Sequence, residues 1–361
     1  LSNTQMDPGH VLLLSWWLTT EFSAAVTSVN CLHNPLGDGL QVIIRTFEET
    51  PRLRTLCGLE EGVEQIDWSD SDKGPVDVAL LTADLKAGHA AAALNSLTLD
   101  SNGIFGTFGT WGEPDKFAGD CDAFLAALKE SNILTLSLQN TGIGPVTLQK
   151  LATSLPAVVA SLRCANNPGM VGELDRRGNL ETPDAHAEVF KELTDSLKTS
   201  QVTEADFSSC GLGPVALDHL SDWVREATAV VARLNLTGCG LTGGTKTAGW
   251  NGSKYTAWEK IDSDMSGFIS LCSVLGKVNT INFADCGLGA DSVAELSKVF
   301  TNADAVLNSV TVDSTGNMWR GQQTYTLTTG EEKIDLSEKD LGPADVALVA
   351  AWFQRPEVMA A

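Results

Sequence analysis

The segment with the clearest ligand logic is Asp262-Ser263-Asp264-Met265-Ser266-Gly267-Phe268-Ile269. Oxygens at positions 1, 3 and 5 (Asp262, Asp264, Ser266), glycine at 6 and an apolar residue at 8 have the spacing of a calcium loop. Position 12 is Ser273 where such a loop carries a bidentate Glu, which removes much of the affinity. The expectation is a weak calcium site, set against an acidic helix start favoured by the helix dipole. Other chemistry is sparse. His10, His33, His89, His186 and His219 are scattered, with no zinc spacing and no neighbouring Cys pair. No G-x-S-x-G elbow or phosphate loop occurs. Gly238, Gly240 and Gly243 spell a lone G-x-G-x-x-G that straddles Cys239 and Leu241, two positions of a repeat described below, so a dinucleotide site is not expected. The chain reads as non-enzymatic and without a cofactor beyond weak calcium.

A second group of residues has binding rather than catalytic character. Trp111, Trp250, Trp258 and Trp319 stand in stretches where glycine and aromatics alternate with polar residues, which marks loops. Aromatic side chains are the usual energetic anchors of protein interfaces. Either these rings form a ridge that binds a partner, or they fold back and seal their loops onto the neighbouring structure.

What must position these residues is a repeat. Val202-x-x-Ala205-x-Phe207-x-x-Cys210-x-Leu212, Val231-x-x-Leu234-x-Leu236-x-x-Cys239-x-Leu241 and Val278-x-x-Ile281-x-Phe283-x-x-Cys286-x-Leu288 share one frame. The frame also fits Val26–Leu36, Leu94–Ile104 and Ile133–Ile143, with poorer copies at Val63–Lys73, Val159–Met170, Leu307–Asn317 and Glu331–Leu341 and a partial one at Leu1–Met6. Alternating apolar residues suit a short strand with one buried face. Asn or Cys after the strand (Asn34, Asn102, Asn167, Cys210, Cys239, Cys286) can satisfy backbone groups in the turn that follows. Spacing between copies is nearly constant after every odd copy and variable after every even one, so two repeat types alternate. The constant type carries Gly74-Pro75, Gly144-Pro145, Gly213-Pro214 or Gly342-Pro343 ahead of an apolar-periodic stretch, a helix start with Pro in the first turn. Val11–Leu18, a stretch apolar but for Ser15, aligns with these stretches and is expected to be a buried repeat helix. It is shorter than the roughly 18–20 residues of a membrane span and has no basic segment before it, as a signal peptide would.

This frame resembles the leucine-rich repeat, L-x-x-L-x-L-x-x-N/C-x-L, and the alternation of helical units resembles its ribonuclease-inhibitor-like subfamily. The resemblance covers essentially the whole chain. It implies one curved α/β solenoid of about eleven repeats over 1–361, with parallel strands on the concave face and helices on the convex face. The variable repeats then supply long inserts that project from one side. The residue between the two strand anchors points to the concave surface, where Asp67, Arg163, Asp206 and Asp335 are the charged candidates for a partner. Neither end carries a polar capping repeat, which predicts a segment of a longer chain or ends covered by a partner.

Composition narrows the partner. The chain has 361 residues and a formal net charge of −22, which repels phosphate backbones and argues against nucleic acid. The expected partner is a protein, preferably basic, or a neighbouring copy in an assembly. Eight cysteines follow the repeat frame rather than a disulfide framework, so buried free thiols are expected. Sequons at Asn235 and Asn251 matter only in a secreted protein. The leading reading is a non-enzymatic interaction or assembly protein. The rivals are a leucine-rich-repeat regulator of a GTPase, for which Arg176 and Arg177 stand in an insert, and a secreted carbohydrate-binding or adhesive protein that stacks sugars on Trp111, Trp250 and Trp319. The sequence assigns no compartment.

Overall fold

The computed structural model describes residues 1–109, 111–247, 257–302, 305–316, 322–355 and 358. The chain divides into two compact units, Leu1–Val159 and Ala160–Ala361. In the first, helices α1 (Pro8–Leu18), α2 (Gly39–Glu48), α3 (Pro75–Ala87), α4 (Asp122–Lys129) and α5 (Pro145–Ser154) accompany strands β1 (Gln65–Asp67), β2 (Ser96–Thr98) and β3 (Thr135–Ser137). The strands pair in parallel and in phase, with Ile66 beside Leu97 and Leu97 beside Leu136. Parallel pairing needs a crossover, and α3 and α4 supply those between β1, β2 and β3.

The second unit repeats the pattern. Strands β4 (Ser161–Arg163), β5 (Glu173–Leu174), β6 (Leu180–Thr182), β7 (Glu204–Asp206), β8 (Arg233–Asn235), β9 (Thr245–Thr247), β10 (Ala257–Glu259), β11 (Thr280–Asn282), β12 (Ser309–Asp313) and β13 (Thr324–Thr328) alternate with α6 (Ala187–Leu197), α7 (Pro214–Glu226), α8 (Ser266–Leu275), α9 (Ala290–Val299) and α10 (Pro343–Phe353). The parallel series runs β4, β7, β8, β11, β12, with Leu162, Ala205, Leu234, Ile281 and Val310 in register. All five are buried, as are the phenylalanines that follow them: Phe207 meets Phe190 edge-on at 5.3 Å and Phe283 meets Phe268 at 5.5 Å. Each unit is therefore built of leucine-rich repeats.

A strand of three residues makes few ladder bonds, so the buried turn after it carries much of the order. Asn102 Nδ2 donates to the carbonyls of Leu99 (2.9 Å), Asp100 (3.1 Å) and, one repeat earlier, Trp68 (2.7 Å), while its Oδ1 accepts from the Lys73 amide (2.8 Å). Asn34 does the same against Leu1, Thr4 and Met6. In the second unit thiols replace amides. Cys210, Cys239 and Cys286 donate to the carbonyls of Cys164, Phe207 and Leu236 in the preceding repeat, at 3.1, 3.4 and 3.1 Å.

Two segments differ from the frame. Residues 331–341 form no strand. The edge of β12 is instead covered by β13, which runs antiparallel to it and arises from the insert of the same repeat. Val11–Leu18 is helical, yet only Val11, Ser15 and Leu18 are buried, and Leu12, Leu13 and Trp16 stay 57, 67 and 66% exposed. Among the described residues this helix packs along α2 and against the short turn Glu21–Ser23, which leaves Leu12, Leu13 and Trp16 uncovered.

The two turn chemistries are not equivalent. Asn102→Ala deletes four hydrogen bonds around a buried backbone and is expected to cost about 3 kcal/mol. Cys286→Ala deletes one small thiol with a weak donor and is expected to cost about 1 kcal/mol. Urea unfolding of both variants measures the difference.

Candidate partner-binding surfaces

The inserts are anchored by carboxylates. Asp115, at the end of the insert that follows β2, accepts from the amides of Gly144 (3.0 Å), Val146 (2.7 Å) and Thr147 (3.0 Å) at the start of α5. Asp184, after β6, does the same to Gly213 (2.7 Å), Val215 (2.7 Å) and Ala216 (3.1 Å) of α7. Asp262, after β10, does it to Gly289 (3.1 Å), Asp291 (3.0 Å) and Ser292 (3.4 Å) of α9. Each carboxylate thus satisfies orphan amides and the dipole of a helix one repeat further on. The helix residue at the N-cap must be glycine for this. A Cβ on Gly144, Gly213 or Gly289 would come within 2.5, 2.6 or 2.3 Å of the docked Asp oxygen. All three Asp residues have φ between 54° and 63°, a region Asp tolerates better than most residues.

Helices α3 and α10 follow repeats without such an Asp and solve the problem internally. Their third residues, Asp77 and Asp345, are buried and accept from their own N-cap amides, Gly74 (3.1 Å) and Gly342 (2.7 Å). They also accept from the preceding repeat, Asp77 from the His33 amide (2.7 Å) and Asp345 from Thr315 N (2.7 Å) and Tyr325 OH (3.0 Å). Burial beside Asp345 pushes the Tyr325 hydroxyl far above its ordinary pKa.

This arrangement places the calcium-loop residues. Asp262 caps α9, and Asp264 Oδ1 accepts from the amide (3.0 Å) and hydroxyl (2.7 Å) of Ser266. The hydroxyl bond holds the Asp264 carboxyl below its usual range. Among the described residues no group of three or more His, Cys, Asp or Glu is set to hold a metal ion.

The tryptophans divide. Trp111 is 71% exposed and has φ 68°, in an insert closed by Gly112 N to Gly109 O (2.9 Å) and Thr107 N to Glu113 O (3.0 Å). Trp258 folds back. Its ring lies on Gly287, where a Cβ would approach within 2.5 Å, its Nε1 donates to Asp285 (3.2 Å), and Lys246 sits 5.0 Å over the ring while pairing with Asp285. Trp250, Trp319 and Asn251 lie outside the described residues. In the second unit a further tip is rigid: Asp175 accepts from Arg177 N (2.8 Å), Asn179 N (2.9 Å) and Asn179 Nδ2 (3.0 Å), leaving Arg176 and Arg177 exposed at the turn between β5 and β6.

The charged sheet-face residues are engaged locally. Asp67 and Asp335 accept from Ser69 and Ser337, amide and hydroxyl, at 2.6 to 3.0 Å, which holds both carboxyls below their usual range. Asp206 bonds Ser208 in the same way and takes Asn235 Nδ2 at 3.1 Å. Arg163 is exposed beside Asp206. All eight cysteines are free and buried. Burial raises the thiols of Cys31 and Cys239 to about 11 and Cys121 to about 12, which keeps these out of nucleophilic chemistry at neutral pH.

One feature of the first unit has no counterpart in the repeat frame. Residues 54–58 form an extra extended segment against 27–31, with Arg54 N to Thr27 O at 2.7 Å and Cys31 N to Leu56 O at 2.8 Å. Asp84 of α3, fully buried, accepts from Thr55 Oγ1 (2.5 Å), Leu56 N (2.7 Å) and Cys57 N (3.1 Å). Between this segment and β1 lies a cleft of about 380 Å³.

Solved structures resemble the chain, three of them as follows. The leucine-rich repeat-containing protein LegL7 from Legionella pneumophila is 13% identical, covering 93% of each chain, with a TM-score of 0.36. The Rad7 and Elc1 complex in yeast is 12% identical over 75% of this chain and 60% of that one, TM-score 0.34. The TLR13-ssRNA13 complex is 14% identical over 79% and 32%, TM-score 0.32. The chain therefore spans less than two thirds of the matched chains in the last two. No protein-family model matches it, and no curated protein matches it.

Burial raises the Asp84 carboxyl above its ordinary value, against the pull of its hydrogen bonds. The native state then takes up this proton at a higher pH than the unfolded chain does, and the associated stability is lost as pH rises through the folded pKa. Urea unfolding from about pH 7 down to about pH 4 is expected to show wild type gaining stability relative to Asp84→Asn as pH falls. A constant difference would contradict the assignment.

Proposed function

We propose that this leucine-rich-repeat chain is a non-enzymatic scaffold that binds a protein partner through the tips of its inserts. The observation that carries the reading is Trp111, a large ring 71% exposed at φ 68°. A bulky residue in the left-handed region costs about 1–3 kcal/mol, and an exposed indole adds no core burial to offset that. Partner burial of the indole would. The bases of the inserts are fixed by capping carboxylates and their tips differ in sequence, the arrangement by which rigid frames present variable recognition loops. The raised thiols and the scattered histidines agree with a protein that holds rather than transforms its partner.

The Arg176–Arg177 tip favours a second reading, regulation of a GTPase, because its guanidiniums are exposed on a turn braced by Asp175. In that case Arg176→Ala would abolish stimulation of nucleotide hydrolysis by a co-purifying GTPase.

Native co-purification separates these outcomes. Wild type is expected to retain a defined protein at near-stoichiometric yield, and Trp111→Ala to lose it by about tenfold or more with an unchanged circular dichroism spectrum and melting temperature. Equal recovery by Trp111→Ala and wild type would overturn the insert-tip reading.

A further inference from the structure

We propose that the open edge of β1 is a docking site for an extended basic segment of a protein partner, which joins the sheet as an added strand. β1 is paired on one side only. Ser96 N donates to Glu64 O (3.2 Å) and Trp68 N to Thr98 O (2.9 Å). In a parallel ladder alternate residues bond to opposite sides, so the amides and carbonyls of Gln65 and Asp67 face away from β2. Among the described residues no backbone or side-chain group bonds them there. The strand-like segment that precedes β1 does not fill the place. It is committed to residues 27–31, and its outward amides at Leu56 and Cys57 are taken by Asp84. A carboxylate thus stands where the repeat frame calls for a ladder, and β1 is left with an unpaired edge inside the unit.

The cleft on this edge is lined by Gly58, Glu60, Glu61, Val63, Asp67 and Trp68. Three carboxylates and an indole favour cations, and the chain supplies its own precedents. Arg54 seats a guanidinium on Glu61 at 2.8 Å, and the Lys73 ammonium lies 5.3 Å from the Trp68 ring centre. Unpaired edges recruit extended peptides through main-chain bonds, with alternate side chains entering pockets. Here the pockets select Lys or Arg. The same acids on an edge could instead serve only to repel other strands, and the test distinguishes the two. This site is separate from the insert tips, so its failure leaves the scaffold reading standing.

The probe is a fluorescein-labelled octapeptide alternating Lys and Val, titrated into the full chain at low salt. Saturable binding is expected, weakened about tenfold when alternate peptide amides are N-methylated and lost when Lys is replaced by Glu. Gln65→Pro removes a donor that β1 does not use toward β2, so the fold is expected to persist and the peptide affinity to fall by about tenfold. In hydrogen exchange the Gln65 and Asp67 amides are expected to gain protection with peptide present. Equal binding of the N-methylated peptide, or unchanged binding by Gln65→Pro, would reduce the effect to charge and overturn strand addition. Absence of saturable binding up to about millimolar peptide would overturn the site.

Discussion

The structure depends on a buried polar side chain in the turn between each strand and the helix that follows. A three-residue strand offers a neighbour only a few ladder bonds, and the turn after it buries several carbonyls that water cannot reach. Asn102 ties three of them, two of its own repeat and one of the repeat before, and fixes the turn of that preceding repeat through Lys73 N. Cys210, Cys239 and Cys286 make the same backward link with a weaker donor. Hydrophobic registers such as Leu234 beside Ile281 give the repeats their cohesion, but area alone does not choose a register. The side chain in the turn does, because it is satisfied at one spacing only.

The helix starts obey a second rule of satisfaction. Orphan amides at an α-helix N-terminus need acceptors, and the chain meets the need in two ways, which α9 combines: Ser292 Oγ and Asp262 both accept from the Gly289 amide. Where the third helical residue is Asp77 or Asp345, the helix caps itself and the carboxylate also holds the preceding turn. Where it is Thr147, Ala216 or Ser292, an Asp arrives from the preceding insert. Long inserts are therefore permitted without loss of order at their bases. Variation is confined to the tips, where Trp111 and the Arg176–Arg177 turn are exposed.

Much of this is legible in the sequence. The L-x-x-L-x-L-x-x-N/C-x-L frame places the strands and their buried turns, and Gly-Pro places four of the helix starts, because both signals are local. The capping carboxylates are not legible in the same way. Asp115 acts on amides 29 to 32 residues on, and nothing near it in sequence marks the partner. At Asp262 the spacing to Asp264 and Ser266 reads as ligand geometry, and the fold adds a role the spacing does not show: its oxygens accept from the amides of α9. A usable signal was present, since an Asp recurs 27 or 29 residues before Gly144, Gly213 and Gly289. The segment at 54–58 was hidden for another reason. It lacks the full apolar frame, and its order comes from Asp84, a buried acid on a helix that periodicity alone treats as polar and exposed. Likewise β13 replaces the strand expected near Asp335, because a tertiary contact, Tyr325 to Asp345, overrides a degenerate repeat.

The central claim is that insert carboxylates, docked on the helices of the following repeats, hold the insert loops in place. Native-state amide hydrogen exchange tests it most directly at Gly144, Val146 and Thr147, and at their counterparts Gly213, Val215 and Ala216. These first-turn amides have no partner within their own helix. The account predicts that they exchange as slowly as the interiors of α5 and α7, and that Asp115→Ala and Asp184→Ala release only the set each one caps. Exchange of these amides at exposed-loop rates in the wild-type chain would contradict it.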